Sequence, residues 1–331
     1  MESTALTLGV LIVESLPGLI LIWNRHLCAA ARGRRTAPAL ETWDIGAYDI
    51  ALLLWMVVMG GYILQVLLVT VLSSTSLAVV TRDVVAGVGF QFGMLGAVLG
   101  FARLSERGRG YSMPKRGFVR EGLETFLKVL PAIFLTGIVW SFLAARMGVN
   151  LNQQELVALF RKSNSPFLLG TLVTMAVVIA PITEELVFRA GLFRYLRRQP
   201  PLSVIFVAVI GCATAFLCFD GLLKISRHAT RAGAVEGVWG LAVALGAFLL
   251  WLSPTVKRFI ARPTPRWLAV LLPAVVFAAL HANLASFPQL VVLGIIFSLA
   301  YERTGNIAVP MLAHALFNLN TIVLLFAGIN S

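Results

Sequence analysis

Charge is the scarcest property of this 331-residue chain, since only 13% of its residues are charged whereas 59% are hydrophobic. A soluble domain carries about 25% charged residues. The shortage excludes an ordinary soluble protein and indicates an integral membrane protein. Apolar runs of about 20 residues, the length that crosses a bilayer as a helix, recur along the chain. We predict an all-α, polytopic transmembrane helix bundle of about ten spans.

Cysteine is also scarce, because Cys28, Cys212 and Cys218 form neither a CxxC pair nor an even-numbered set. This pattern argues against a zinc ribbon and a disulfide framework. The sequence has no internal repeat, low-complexity stretch or nucleotide-binding loop. Its first apolar run, Ala5 to Trp23, lacks a basic leader and a following small-residue cleavage site. We therefore predict an uncleaved membrane anchor there.

The basic residues, which give a formal net charge of +12, fall in short blocks between apolar runs without interleaved aromatic residues. This distribution indicates membrane topology rather than nucleic-acid binding. One block follows the first span and a larger block follows the third. They contain Arg25, Arg32, Arg34 and Arg35, and Arg103, Arg107, Arg109, Lys115, Arg116 and Arg120, respectively. The positive charge places both loops in the cytoplasm and the N-terminus outside.

The chain is predicted to divide into two transmembrane regions. Residues 1–165 hold about four spans and end in a helix at 150–165 that lies along the membrane interface. Residues 166–331 form a core that carries the polar motifs, with an inserted helical pair at about 211–266. Two short apolar runs, 267–282 and 289–301, predict a hairpin that dips into the bundle.

Three ionisable residues lie in the fifth apolar span, where charge is costly and marks a functional site or a fixed ion pair. Glu185 and Arg189 are four residues apart, so a helix places them on one face as a pair. Glu184 projects about 100° away from Glu185 and is left for chemistry. Pro181 cannot donate a backbone hydrogen bond, which predicts a kink beside Glu184.

Two histidines in the last apolar runs have partners at helical spacing. Phe277 can pack beneath His281, and His314 shares a helix face with Asn318, as two donors aimed at an oxyanion would. Depth can be counted from the predicted cytoplasmic boundary at about 1.5 Å per helical residue. Glu184 then lies about 15 to 20 Å deep, His281 at most about 21 Å and His314 at most about 16 Å. These three side chains are therefore predicted to lie at nearly one level.

The three motifs, in this order, resemble the CPBP family of intramembrane proteases, which includes type II CAAX prenyl endopeptidases and proteins linked to bacteriocin immunity. The family pattern is EExxxR, FxxxH and HxxxN, and the resemblance covers about residues 168–325. Ala190, where the family often has Gly, and the long insert depart from the pattern. The resemblance implies a glutamic-type endopeptidase in which Glu184 is the general base.

By the same resemblance, His281 and Glu184 polarise a water, while His314 and Asn318 stabilise the tetrahedral oxyanion. No cofactor is implied. The implied partners are membrane lipid and a membrane-anchored or lipidated protein substrate. We expect the chain to lie in a plasma or inner membrane, and the topology predicted from the basic loops opens the site toward the cytoplasm.

Other mechanisms and functions fit some of the same residues. Zinc could be bound by Glu184, His281 and His314, since carboxylate and imidazole both suit it. An amide in HxxxN and the absence of HExxH favour the metal-free mechanism. A proton or ion relay would make the chain a transporter, but two similar halves with discontinuous helices are not evident. A non-catalytic immunity or scaffold protein is a further alternative.

Overall fold

The computed structural model describes residues 2–27, 38–74, 78–148, 165–210 and 230–327. The three cysteines, the interfacial helix predicted at 150–165 (apart from Ser165) and residues 211–229 of the insert lie outside these ranges. The described chain is built from helices, as the scarcity of charge and the long apolar runs predicted.

The helices are numbered in chain order. They are α1 (Glu2–Ile22, continued as a π-helical turn over Trp23–Leu27), α2 (Ala47–Ser73), α3 (Val79–Leu104), α4 (Val119–Arg146), α5 (Pro166–Leu196), α6 (202–210), α7 (Thr230–Leu252), α8 (Pro254–Ile260), α9 (Arg266–Leu280), α10 (Phe287–Thr304) and α11 (Ala308–Phe326). A 3₁₀ turn at Arg107–Gly110 lies between α3 and α4.

Within the described residues, six helices are long and apolar enough to cross a membrane. These spans are Leu8–Leu27, Ala47–Ser73, Val80–Leu104, Val119–Arg146, Pro166–Leu196 and Ala308–Phe326. A seventh arises if α7 and α8, which bend by 94° at their junction, form one broken span. The polytopic all-α bundle is therefore confirmed, whereas the count of about ten spans stays a prediction.

The chain forms two compact units, Met1–Tyr195 with Val270–Ser331, and Leu196–Ala269. The division predicted at residue 165 stays a prediction. In the second unit, hydrogen bonds join the residues near its first and last positions. Leu202 donates its amide to the carbonyl of Arg262 at 2.9 Å, and Thr264 donates its amide and hydroxyl to the carbonyl of Pro200 at 2.9 and 2.6 Å. The start and the end of the unit are thereby held side by side.

Small residues allow close helix contacts in the first unit. A Cβ atom on Gly93 would lie 2.1 Å from the carbonyl oxygen of Gly60, so α2 and α3 meet at backbone distance. A Cβ atom on Gly18 would lie 2.0 Å from the carbonyl oxygen of Leu127, which gives the same kind of contact between α1 and α4. Such small-residue seams are typical of helices that associate in lipid.

The two short apolar runs at 267–282 and 289–301 form α9 and α10, which are joined by a turn over residues 281–286. The connecting segments 38–46 and 105–118 contact the opposite end of α10. Leu40 donates its amide to the carbonyl of Glu302 at 3.2 Å, and the side-chain amide of Asn306 exchanges hydrogen bonds with the backbone of Lys115 at 3.0 Å. These segments cover the ends of α10 and α11.

Candidate active site

Helix α5 is irregular on both sides of the paired glutamates. Two π-helical segments, Met175–Ile179 and Leu186–Phe193, enclose a short α-helical stretch, Ala180–Glu185. A π turn bonds residues five apart and inserts a bulge, which is frequent at functional sites. The sequence predicted a distortion at Pro181 but not its π-helical form.

Asn318 hydrogen-bonds to the first of these π segments. Its side-chain amide donates to the carbonyl of Ala176 at 2.7 Å. In a π turn that carbonyl would accept from residue 181, which is Pro181 and has no N–H, while the amide of Ala180 bonds to Met175 instead. Asn318 therefore supplies the hydrogen-bond donor that Pro181 lacks. The second N–H of the carboxamide is left for another acceptor.

Glu185, Arg189 and His314 form a buried charged group. One oxygen of Glu185, Oε1, lies 2.9 Å from Nη1 of Arg189 and 2.9 Å from Nδ1 of His314. The three residues are 0%, 1% and 3% exposed, respectively. The pairing predicted from the spacing of Glu185 and Arg189 is present, and His314 joins it from α11.

Aromatic rings enclose the guanidinium of Arg189. Its Cζ lies 4.7 Å from the ring centre of Phe277 on α9 and 5.5 Å from that of Phe297 on α10. A Cβ atom on Gly294 would lie 3.3 Å from Nη2 of Arg189 and 2.7 Å from Cβ of Ala274. Gly294 therefore allows α9 and α10 to approach each other beside the charge. Cation–π contacts partly replace the water that Arg189 has lost.

Glu184 has a different environment from Glu185. Its side chain is 14% exposed, and its Oε2 lies 3.8 Å from Nε2 of His314. Because Nδ1 of His314 faces a carboxylate oxygen, the proton of the neutral imidazole belongs on Nδ1. Nε2, which faces Glu184, is then the acceptor nitrogen. Glu184 is thus the less buried carboxylate and lies beside an imidazole oriented by Glu185.

His281 lies immediately after the end of α9 and is exposed. Its Nδ1 donates to the carbonyl of Phe277 at 2.7 Å, which leaves Nε2 as the acceptor nitrogen. The ring of Phe277 lies 4.7 Å from the imidazole of His281 and 5.9 Å from that of His314, measured between centres. One phenylalanine therefore contacts both histidines, in a site where residues from α5, α9 and α11 come together.

A family model for the type II CAAX prenyl endopeptidase Rce1-like proteins matches the chain over residues 165–253 and 249–320. Residues 165–320 belong to the Rce1-like family. This match spans just under half of the chain and includes the EExxxR, FxxxH and HxxxN motifs. No curated protein and no solved structure gives a significant match. The match of residues 165–320 to the Rce1-like family, together with the apolar helices, supports a multi-pass membrane hydrolase of the protease class.

Tyr111, a residue that sequence reasoning missed, contacts the helix that carries the glutamates of the Rce1-like site. Its hydroxyl donates to the carbonyl of Leu186 at 2.5 Å, at the first position of the second π segment. Burial raises the pKa of the Tyr111 phenol far above its ordinary value of 10.0, which keeps it a donor. A hydrogen-bond donor in a loop has no helical spacing, so the sequence contained no signal for this contact.

Neighbouring residues hold Tyr111 in place. Its ring packs edge-on against Trp43 with centres 5.2 Å apart. Arg194 donates to the carbonyl of Gly110 at 2.7 Å and to the hydroxyl of Ser112 at 3.0 Å, and the Ser112 hydroxyl also contacts that of Tyr301. The loop between α3 and α4 is thereby fixed to α5 and α10.

Zinc binding by this Rce1-like site would need Glu184, His281 and His314 to converge on one point. Among the described residues, no three His, Cys, Asp or Glu side chains are grouped so that they could hold a metal ion. Nδ1 of His314 already faces Glu185, and Nδ1 of His281 faces a backbone carbonyl. The arrangement therefore does not fit the proposed zinc ligand set.

Proposed function

We propose that the chain is an intramembrane endopeptidase that cleaves a membrane-anchored or lipidated protein through a water activated by Glu184 and His281. The observation that carries this proposal is the difference between the two adjacent carboxylates. Glu185 is bound to Arg189 and His314 at 2.9 Å each, whereas Glu184 is partly exposed and faces Nε2 of His314. A general base needs a carboxylate that is not already held in charged hydrogen bonds, and the 3.8 Å from Glu184 to His314 is too long for one.

The reaction follows from the chemistry of these side chains. Glu184 takes a proton from a water that His281 helps to polarise, as the water oxygen bonds to the peptide carbonyl carbon. The resulting oxyanion is stabilised by N–H donors from His314 and Asn318. When the C–N bond breaks, Glu184 returns the proton to the leaving amine, which yields a carboxylic acid and a free amine.

The roles proposed for His314 and Asn318 require N–H groups that are not already used in other hydrogen bonds. His314 donates from Nδ1 to Glu185, so it can donate from Nε2 only when both nitrogens carry protons. Glu185 supports that imidazolium by its negative charge, as a carboxylate does for a catalytic histidine. Asn318 already donates to Ala176, so its remaining N–H is the one offered to the oxyanion.

The proposed orientation places the N-terminus outside the membrane and the site's opening on the cytoplasmic side. It rests on the basic loops after the first and third spans. The substrate proposed for this opening is a protein chain held at the cytoplasmic surface by a lipid or a membrane anchor.

The test of this function compares the membrane proteome of cells that carry the wild-type chain, Glu184→Ala or Glu106→Ala. Glu106 is an exposed carboxylate between α3 and α4, so it controls for loss of one negative charge. We expect new cytoplasmic-side C-termini with the wild type and Glu106→Ala that are missing with Glu184→Ala. An unchanged set of C-termini and unchanged biological activity in Glu184→Ala would favour the scaffold alternative.

The metal question is tested on an active preparation. The metal-free mechanism predicts full cleavage after exhaustive chelation and no stoichiometric metal in the purified protein. Loss of cleavage on chelation, with recovery on addition of zinc, would establish the zinc alternative instead.

A further inference from the structure

A second group of charges lies where α1 ends, α4 begins and α10 ends. We call it the basic junction. It comprises the cations Arg25, Arg120, Lys128 and Arg303 and the carboxylates Glu121 and Glu124. All six belong to the first compact unit. None of them takes part in the chemistry proposed above.

One carboxylate forms ion pairs with three of these cations. Glu124 lies 2.9 Å from Arg25 and 3.2 Å from Arg120 through the same oxygen, and its other oxygen lies 3.8 Å from Nζ of Lys128. Arg303 pairs separately with Glu121 at 2.6 Å. Four cations against two carboxylates leave the basic junction with two positive charges in excess.

Lys128 is the cation least satisfied by this arrangement. Its side chain is only 12% exposed, yet its nearest carboxylate is 3.8 Å away and is shared with two arginines. Arg25 and Arg303 are also close enough to repel its charge. A largely buried cation is costly unless an anion is near. A further anion at the basic junction would relieve both the burial and the repulsion.

The position of the basic junction matches the headgroup layer. Helix α4 has 28 residues, and at about 1.5 Å each it is about 42 Å long, against about 30 Å for the hydrocarbon core. The difference of about 12 Å corresponds to about eight residues. If the N-terminal end of α4 carries this excess, Arg120, Glu121 and Glu124 lie outside the hydrocarbon and Lys128 lies at its boundary. Trp23 and Leu27 at the end of α1 and Leu123 on α4 are 61%, 55% and 46% exposed. Cations beside exposed apolar side chains suit a ligand that is both anionic and apolar.

We propose that the basic junction binds the phosphate of an anionic phospholipid, with its acyl chains along the exposed apolar side chains of α1 and α4. Basic pockets between transmembrane helices bind acidic headgroups through the same combination of charge and depth. The proposal is independent of the protease activity, because it concerns different residues and can be measured without a substrate.

The test measures lipid binding to the full chain purified in detergent, by native mass spectrometry and by the shift of the unfolding midpoint. Phosphatidylglycerol is compared with phosphatidylcholine of the same acyl chains. The variants are Lys128→Gln, Arg303→Gln and the control Arg107→Gln. Arg107 is also a cation of the first unit, but it forms an exposed pair with Asp44.

We expect the wild type to bind phosphatidylglycerol more tightly than phosphatidylcholine. Each of Lys128→Gln and Arg303→Gln should weaken phosphatidylglycerol binding about fivefold, and Arg107→Gln should not. Lys128→Gln leaves Glu124 paired with two arginines. If that variant nevertheless fails to fold, Arg303→Gln decides the question, because its side chain is 37% exposed.

Three results would overturn the proposal. The first is equal binding of the two lipids by the wild type. The second is a loss of binding in Arg107→Gln as large as in Arg303→Gln. The third is stabilisation by glycerol 3-phosphate equal to that by phosphatidylglycerol, which would identify the ligand as a soluble phosphate ester.

Discussion

At the scale of single residues, two adjacent glutamates have different environments because only one of them is hydrogen-bonded to a guanidinium. Glu185 is fully buried and shares Oε1 between Arg189 and His314. Among the described residues, its Oε2 and the Nε and Nη2 atoms of Arg189 have no hydrogen-bond partner. Few hydrogen bonds therefore compensate the burial of Glu185 and Arg189, so each charge is stabilised mainly by the other.

The first prediction concerns that buried pair. Arg189→Met should destabilise the protein by about 3 to 5 kcal/mol, because it leaves the Glu185 carboxylate buried without a cation. Arg189→Met combined with Glu185→Gln should recover much of the loss, since no unpaired charge remains. Thermal unfolding in detergent measures both. As a control, Arg107→Met breaks an exposed pair and should cost at most about 1 kcal/mol. Equal stability of the single and double variants would contradict this interpretation.

Tyr111 leads to a second prediction at this scale. Tyr111→Phe keeps the ring and removes the donor to the Leu186 carbonyl, so it should lower stability by about 1 to 3 kcal/mol. It should also lower kcat more than it raises KM. The helical turn that carries Glu184 and Glu185 loses a contact that positions it, while the residues that would bind the substrate are unchanged. Tyr48→Phe is the matched control, since Tyr48 is 92% exposed. If both variants behave like the wild type, Tyr111 has no positioning role.

At the scale of elements, α5 depends on a residue from α11 to complete its backbone hydrogen bonding. Asn318 donates to the Ala176 carbonyl, for which Pro181 supplies no N–H. The distorted segment that precedes the glutamates is thereby tied to the helix that carries His314. A substitution in α11 at Asn318 should consequently change the stability of the distorted segment of α5.

A double-mutant cycle tests this dependence. Asn318→Ala should destabilise the wild-type chain, but less so in a Pro181→Ala background, where residue 181 regains an N–H. The coupling energy expected for two groups that share one carbonyl is about 0.5 to 3 kcal/mol. Asn320→Ala is the control, because Asn320 donates to Glu14 instead, and its effect should add to that of Pro181→Ala. Additive effects of Asn318→Ala and Pro181→Ala would refute the dependence.

Close contact between α9 and α10 leads to a further prediction. Gly294→Ala would place a Cβ atom 2.8 Å from Cα of Ala274, so the two helices must separate beside Arg189. We expect a loss of about 1 to 3 kcal/mol from overpacking, measured by thermal unfolding. Gly96→Ala introduces the same group on α3, where nothing lies within 4 Å, and should be neutral or stabilising. A neutral Gly294→Ala would show that the helix contact is not tight.

At the scale of the whole molecule, the parts that depend on local spacing were predictable from the sequence. The apolar runs predicted the spanning helices, and a separation of four residues predicted the pairing of Glu185 with Arg189. Contacts between distant helices were not predictable, because the helix faces that meet are set by packing. The bond from His314 to Glu185 joins residues 129 positions apart, and that from Tyr111 to Leu186 joins residues 75 apart. The two π segments of α5 are likewise contacted by distant residues, Asn318 and Tyr111.

In the proposed mechanism, Glu184 performs the chemistry while Glu185 holds the site together. The most direct measurement is the cleavage rate of folded Glu184→Gln relative to the wild type, on a substrate found by the proteome comparison. We predict a rate lower by a factor of about 100 to 10,000, the typical contribution of a general base, with an unchanged unfolding midpoint. Cleavage by Glu184→Gln at the wild-type rate would contradict the account.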